Sequence, residues 1–166
     1  MSTIPEQVFE ILTRDHLTQD DEAAVLALGD QAIETLVNYA RGQTPDGRGD
    51  LRSRAINVLG SSSNAAHTSL LSNLLSDLEE EDRIRALIAL GRQGTDAAIA
   101  SIEQYGRGSG VSDVEFVFAA RSIGTSGNGQ AIAALGRLRG SRTLEGELLA
   151  EFNAIPGSGS GNTGIA

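Results

Sequence analysis

Two hexapeptides near the middle of the chain, Ala55-Ile-Asn-Val-Leu59-Gly60 and Ala86-Leu-Ile-Ala-Leu90-Gly91, decide how the rest is read. Each sets a small residue and a leucine four apart, the spacing that puts both side chains on one face of an α-helix. Each then ends on glycine. Working outward, the pattern recurs on both sides, as Ala24-Val-Leu-Ala-Leu28-Gly29 and as Ala119-Ala-Arg-Ser-Ile123-Gly124. The glycines lie 31, 31 and 33 residues apart. Helical spacing repeated at such a period predicts an all-α solenoid, in which stacked units shelter one another's apolar sides. Ala24, Gly29, Ala55, Gly60, Ala86, Gly91, Ala119 and Gly124 are the expected repeat-defining residues.

Each unit reads as a helix pair. The segment before the glycine is helix A, and the glycine is expected to end it in a left-handed conformation. Helix B follows a polar turn. Gly91-Arg-Gln-Gly94 leads to Ala98-Ile99 and Ile102, and Gly124-Thr-Ser-Gly127 leads to Ala131-Ile132 and Leu135. The second unit keeps Leu71 but has His67-Thr68 in place of Ala-Ile, and the first shortens its turn to give Ala32-Ile33 and Leu36. About four pairs are expected, over 20–42, 50–77, 80–107 and 112–140. Capping helices are expected over 4–13 and 143–153, making one domain of 1–155, with a Gly/Ser-rich tail over 156–166 expected to be disordered.

Helix starts are marked too. Thr3-Ile-Pro-Glu6 and Ser112-Asp-Val-Glu115 read as capping boxes, and Asp50 as the N-cap of the second A helix. The acidic run Glu79–Asp82 sits where a helix N-terminus favours negative charge. The stretches 41–49 and 106–110 read as loops between units.

Composition narrows the function. The formal net charge of −9 argues against binding a nucleic-acid backbone. The charge is uneven, with 8 Arg against 17 acids over residues 1–105 and 5 Arg against 2 acids over 106–142. All basic residues are Arg. The absence of Cys excludes disulfides and thiolate chemistry. No apolar run approaches the roughly 20 residues a membrane span needs. The first residues lack the basic and apolar regions of a signal peptide, so a soluble cytoplasmic protein is expected.

The strings Arg52-Ser-Arg-Ala55…Leu59-Gly60 and Arg83-Ile-Arg-Ala86…Leu90-Gly91-Arg-Gln-Gly-Thr-Asp96-Ala-Ala98-Ile99 resemble the HEAT-like repeats of the phycobilisome-lyase type. The resemblance covers roughly residues 20–140 and is strongest in the third unit. Asp21 and Phe116 hold the place of the Arg in the first and fourth. The Trp and Tyr positions of tetratricopeptide repeats and the Thr-Pro-Leu-His string of ankyrin repeats are missing. What the resemblance implies is a right-handed superhelix whose B helices line the concave side. It further implies a protein-binding adaptor or scaffold. Some members attach or detach bilin chromophores, so a bilin handler is the alternative.

Residues poised for catalysis are scarce. His16 and His67 stand alone, outside any metal-ligand spacing, so no catalytic residue, metal or cofactor is expected. Gly124–Gln130 lacks the Gly-Lys ending of a phosphate loop and reads as a turn, and Arg48-Gly-Asp50 reads as a chance adhesion tripeptide. A protein or peptide partner is expected instead. Thirteen residues after the glycine stand Asn73, Gln104 and Arg137, with Asn38 as their counterpart in the shortened first unit. Helical phase turns these four away from the apolar face, as a ladder of hydrogen-bonding side chains along the B helices. Arg107, Arg139 and Arg142, with Arg137, are candidates for a basic end that holds an acidic partner segment.

Overall fold

The computed structural model describes residues 2–159. Among them are ten α-helices and no β-strand. They are α1 (Ile4–Leu12), α2 (Gln19–Ala27), α3 (Asp30–Ala40), α4 (Gly49–Gly60), α5 (Ala65–Leu74), α6 (Glu80–Gln93), α7 (Asp96–Gly106), α8 (Asp113–Gly124), α9 (Ala131–Gly140) and α10 (Gly146–Asn153). A short 3-10 turn, Pro45–Gly47, joins α3 to α4. The all-α expectation holds. No described helix is long and apolar enough to cross a membrane.

Packing is local along the chain. Helices α2, α4, α6, α8 and α10 each touch the next of that set, while α5 touches α7 and α7 touches α9. Within each pair the two helices also pack together, and α1 closes the N-terminal end against α2, α3 and α4. This neighbour-to-neighbour pattern is compatible with an α-solenoid. The core is one continuous aliphatic layer that includes Leu51, Ile56, Leu59, Leu71, Leu87, Leu90, Ile102 and Leu135. Burying each such side chain contributes about 1.5–3 kcal/mol.

Local chemistry explains the helix starts. Thr3 and Ser112 form the two expected capping boxes, with Glu6 and Glu115 reaching back to the N-cap amide. A third box, Thr18 with Asp21, opens α2, and Asn64 and Thr95 cap α5 and α7. Asp50 is not the N-cap it was expected to be. Helix α4 begins two residues earlier than that, at Gly49 behind Arg48, and Asp50 lies in its first turn with its carboxylate 2.7 and 3.2 Å from the Arg48 guanidinium.

The repeated glycines require a larger correction. Only Gly29 has a positive φ, +84, where α2 ends, and its ψ of −163 is not that of the left-handed helical conformation. Gly60, Gly91 and Gly124 are helical, and α6 runs past Gly91 to stop at Gly94, φ +62. Their role is close approach between A helices. A Cβ on Gly60 would stand 2.6 Å from Ala89 Cβ, and one on Gly91 would stand 2.7 Å from the Ser122 carbonyl oxygen. One on Gly124 would meet Ile155 Cγ2 at 2.4 Å and the Pro156 carbonyl at 2.9 Å. Each glycine thus seats the residue about 30 positions on. Ile155 and Pro156 directly follow α10, the helix that comes after α8 in the same row.

The small residues follow the same logic in three units of four. Ala55, Ala86 and Ala119 are fully buried, whereas Ala24 is exposed and Val25 is what α2 buries. The Gly/Ser-rich stretch expected from 156 onward begins against the array. Ser158 is buried, and a Cβ on Gly157 would lie 3.2 Å from Ile132 Cγ1. The rest of that stretch, 160–166, lies outside the described residues.

Candidate interaction groove

Helices α5 and α7 pack side by side, each turning its leucine or isoleucine stripe inward. On α5 the buried positions are Thr68, Leu71 and Leu74, and on α7 they are Ala98, Ile99, Ile102, Glu103 and Gly106. The 3.6-residue turn then directs Asn73 and Gln104 outward, and both are exposed. Between them opens a groove of about 910 Å³. Ser72, Ser101, Leu75, Tyr105, Arg41 and Arg83 also line it. The side chains of Ser72, Asn73, Ser101 and Gln104 make no hydrogen bond to another described residue, so their donors and acceptors stay open to a ligand.

The wall behind the groove is tied together by hydrogen bonds and an ion pair. Arg83 Nε donates to Glu115 Oε1 at 2.5 Å, its Nη1 donates to the Leu78 carbonyl at 2.6 Å, and the Tyr105 hydroxyl donates to Glu115 Oε1 at 2.8 Å. Glu115 is 1% exposed, and its other oxygen accepts the Ser112 amide at 2.9 Å. Burial alone would raise the Glu115 carboxyl. The Ser112 amide, Arg83 and Tyr105 together outweigh it and hold the group below its ordinary range. Burial and the adjacent carboxylate push the Tyr105 hydroxyl up to about 12. The same linkage occurs one unit earlier, where Arg52 Nη1 meets Asp82 Oδ2 at 2.9 Å. In the fourth unit Phe116 holds the Arg position and stacks on Phe152, with centroids 5.8 Å apart.

The expected ladder is only partly assembled. Asn73 and Gln104 face one groove, while Asn38 is half-buried on α3 and does not line it. Arg137 is exposed but grips Glu103 with two bonds of 2.8 Å, and Arg107 reaches the same carboxylate at 3.6 Å. The Arg137 guanidinium holds Glu103 below the ordinary carboxylate range. Arg139 donates to Asn153 at 2.8 Å. Arg142 bonds Asp113 and the Val111 carbonyl and lies 4.7 Å over the Phe116 ring. The four arginines considered as a basic end are therefore engaged within the chain. Arg107 still borders a shallower hollow of about 280 Å³ beside Gln104.

Sequence reading missed Arg41, Arg83 and Tyr105. Arg83 was visible only as part of the repeat pattern, and nothing in its spacing separates a bridging arginine from one that also edges a groove. His67 contacts Ser62 Oγ at 2.6 Å through Nδ1, and burial lowers its pKa; His16 is exposed. Among the described residues no group of three His, Asp or Glu gathers as a metal cage would. Neither a family model nor a curated protein matches the chain.

Proposed function

We propose that this chain is a HEAT-like solenoid, a right-handed superhelix with its B helices on the concave side, that serves as a non-enzymatic protein-interaction module or small scaffold subunit. The observation that carries this reading is the open α5–α7 groove. Two side chains one unit apart, Asn73 and Gln104, line it with free hydrogen-bonding groups. An extended partner presents backbone amides and carbonyls at intervals, and free amide side chains at matching intervals satisfy them at little conformational cost. The hydrogen-bonded Arg83–Glu115–Tyr105 wall supports the same reading, because a surface held in place by internal bonds loses less entropy on binding.

The test is the double replacement Asn73→Ala with Gln104→Ala. Both side chains are exposed and unbonded, so the variant should keep the wild-type circular dichroism and melting temperature. Affinity purification from the native source with quantitative mass spectrometry should then show a partner retained by the wild type and depleted by the variant. Equal recovery of every co-purifying protein removes the reading. A linear tetrapyrrole that gained fluorescence on mixing with the wild type would favour the chromophore-handling alternative instead.

A further inference from the structure

We infer that the α5–α7 groove takes an extended, acidic peptide segment, with a partner carboxylate lodged between Arg41 and Arg83; this rests on the interaction reading above and names the chemistry of its partner. Three observations converge on it.

The first is the state of the two cations that edge the groove. Arg83 commits Nε to Glu115 and Nη1 to Leu78, and its guanidinium also faces the Tyr105 hydroxyl. The Arg83 side chain is 26% exposed. Arg41, at the end of α3, is held only by Asp77, at 3.4 Å, and both side chains of that pair are about half exposed. Exposed pairs at such distances are weak and exchange partners readily.

The second is the absence of a free anion in the lining. Asp77 is its one carboxylate, and it already faces Arg41. Glu115 lies behind the wall with both oxygens bonded to Arg83, Tyr105 and Ser112. Tyr105 stays protonated at neutral pH and adds no negative charge. The lining thus sets two guanidinium groups, of the planar type that grips carboxylates, against a single carboxylate, which suits an acidic partner better than a basic one.

The third is the arrangement of neutral groups. Asn73, Gln104, Ser72 and Ser101 lie in the same lining as the two arginines, able to bond a peptide backbone while a side-chain carboxylate reaches the cations. The overall charge of −9 does not override this. Distant exposed charges are screened over about 8–10 Å at ordinary ionic strength, so the near contacts set the preference. A nucleic-acid strand is a poorer match, because two separated guanidinium groups neutralise too few phosphates.

The experiment selects peptides from a phage-displayed library of random linear sequences on the immobilised full chain. Clones that also bind the Asn73→Ala/Gln104→Ala variant are discarded. The selected peptides are synthesised and titrated by fluorescence anisotropy. Every groove-dependent peptide should contain Asp or Glu, and its Asn or Gln counterpart should bind about tenfold more weakly. Arg41→Met should weaken the acidic peptide about fivefold and leave the amide counterpart unchanged. Groove-dependent peptides without an acid, or an amide counterpart that binds equally, would overturn the acidic assignment while leaving the interaction reading standing. Binding of a poly-dT oligonucleotide that is lost in Arg41→Met would also overturn it. If no peptide distinguishes the wild type from the double variant, the interaction reading fails as well.

Discussion

Helices α7 and α9 carry the same Ala-Ile pair at the same distance from their glycines, yet treat it in opposite ways. Ile99 is 2% exposed and Ile132 is 70% exposed. The helical phase is identical, with an inward aliphatic residue three positions on in each case, Ile102 and Leu135. What differs is the company. Helix α7 is flanked by α5 and α9, whereas of these helices only α7 lies beside α9, which meets the start of the C-terminal segment near Ile132. In an array, burial belongs to the interface between units rather than to the unit's own sequence.

The comparison is broken most sharply at the isoleucines themselves. Ile99→Ala should destabilise by about 3 kcal/mol through lost burial and a residual cavity, and Ile132→Ala by less than about 0.5 kcal/mol, both read from urea unfolding midpoints. Equal losses would mean that Ile132 is covered in solution. The glycines give the next largest contrast. Gly91→Ala drives a methyl into the Ser122 backbone and should cost about 2 kcal/mol. Gly124→Ala meets the Ile155 side chain and the terminal segment, which can move aside, and should cost about 1 kcal/mol.

A pH series sharpens the difference between the linked central units and the end. Glu115 and Glu103 are held below their ordinary range when folded. Their stabilisation is therefore present above the unfolded-state value and lost as pH falls through the lower folded-state value. Stability should decline below about pH 5, and Glu115→Gln should be less stable at neutral pH but show a shallower acid decline. Smallest, and opposite in sign, is Gly136→Ala on α9. Its added methyl meets nothing within 4 Å, so it should raise stability by about 0.5–1 kcal/mol, seen as a higher melting temperature.

How far the sequence could be read follows from the same distinction. The helix count, the period and the capping boxes at Thr3 and Ser112 rest on residues close in the chain, and these were legible. The glycine role was not. Local pattern cannot separate a residue that turns the backbone, as Gly29 does, from one that admits a neighbouring helix, as Gly60 and Gly91 do. Ala24 was misassigned for a related reason, since its unit buries Val25 instead. For the candidate groove, Asn73 and Gln104 were foreseen from helical phase. The engagement of Arg137, Arg139 and Arg142 was not, because their partners lie 34, 14 and 29 residues away.

The glycine contacts also bear on how the packed helices can deform. Where Gly60 meets Ala89 and Gly91 meets Ser122, backbone rests almost against backbone, and no slack is left for compression along the row of α4, α6 and α8. The contacts of α5 with α7 are less extensive than those of α4 with α6. The row of α4, α6 and α8 should therefore yield less under load than the side of α5 and α7, a contrast that slower amide hydrogen exchange in the first row would show.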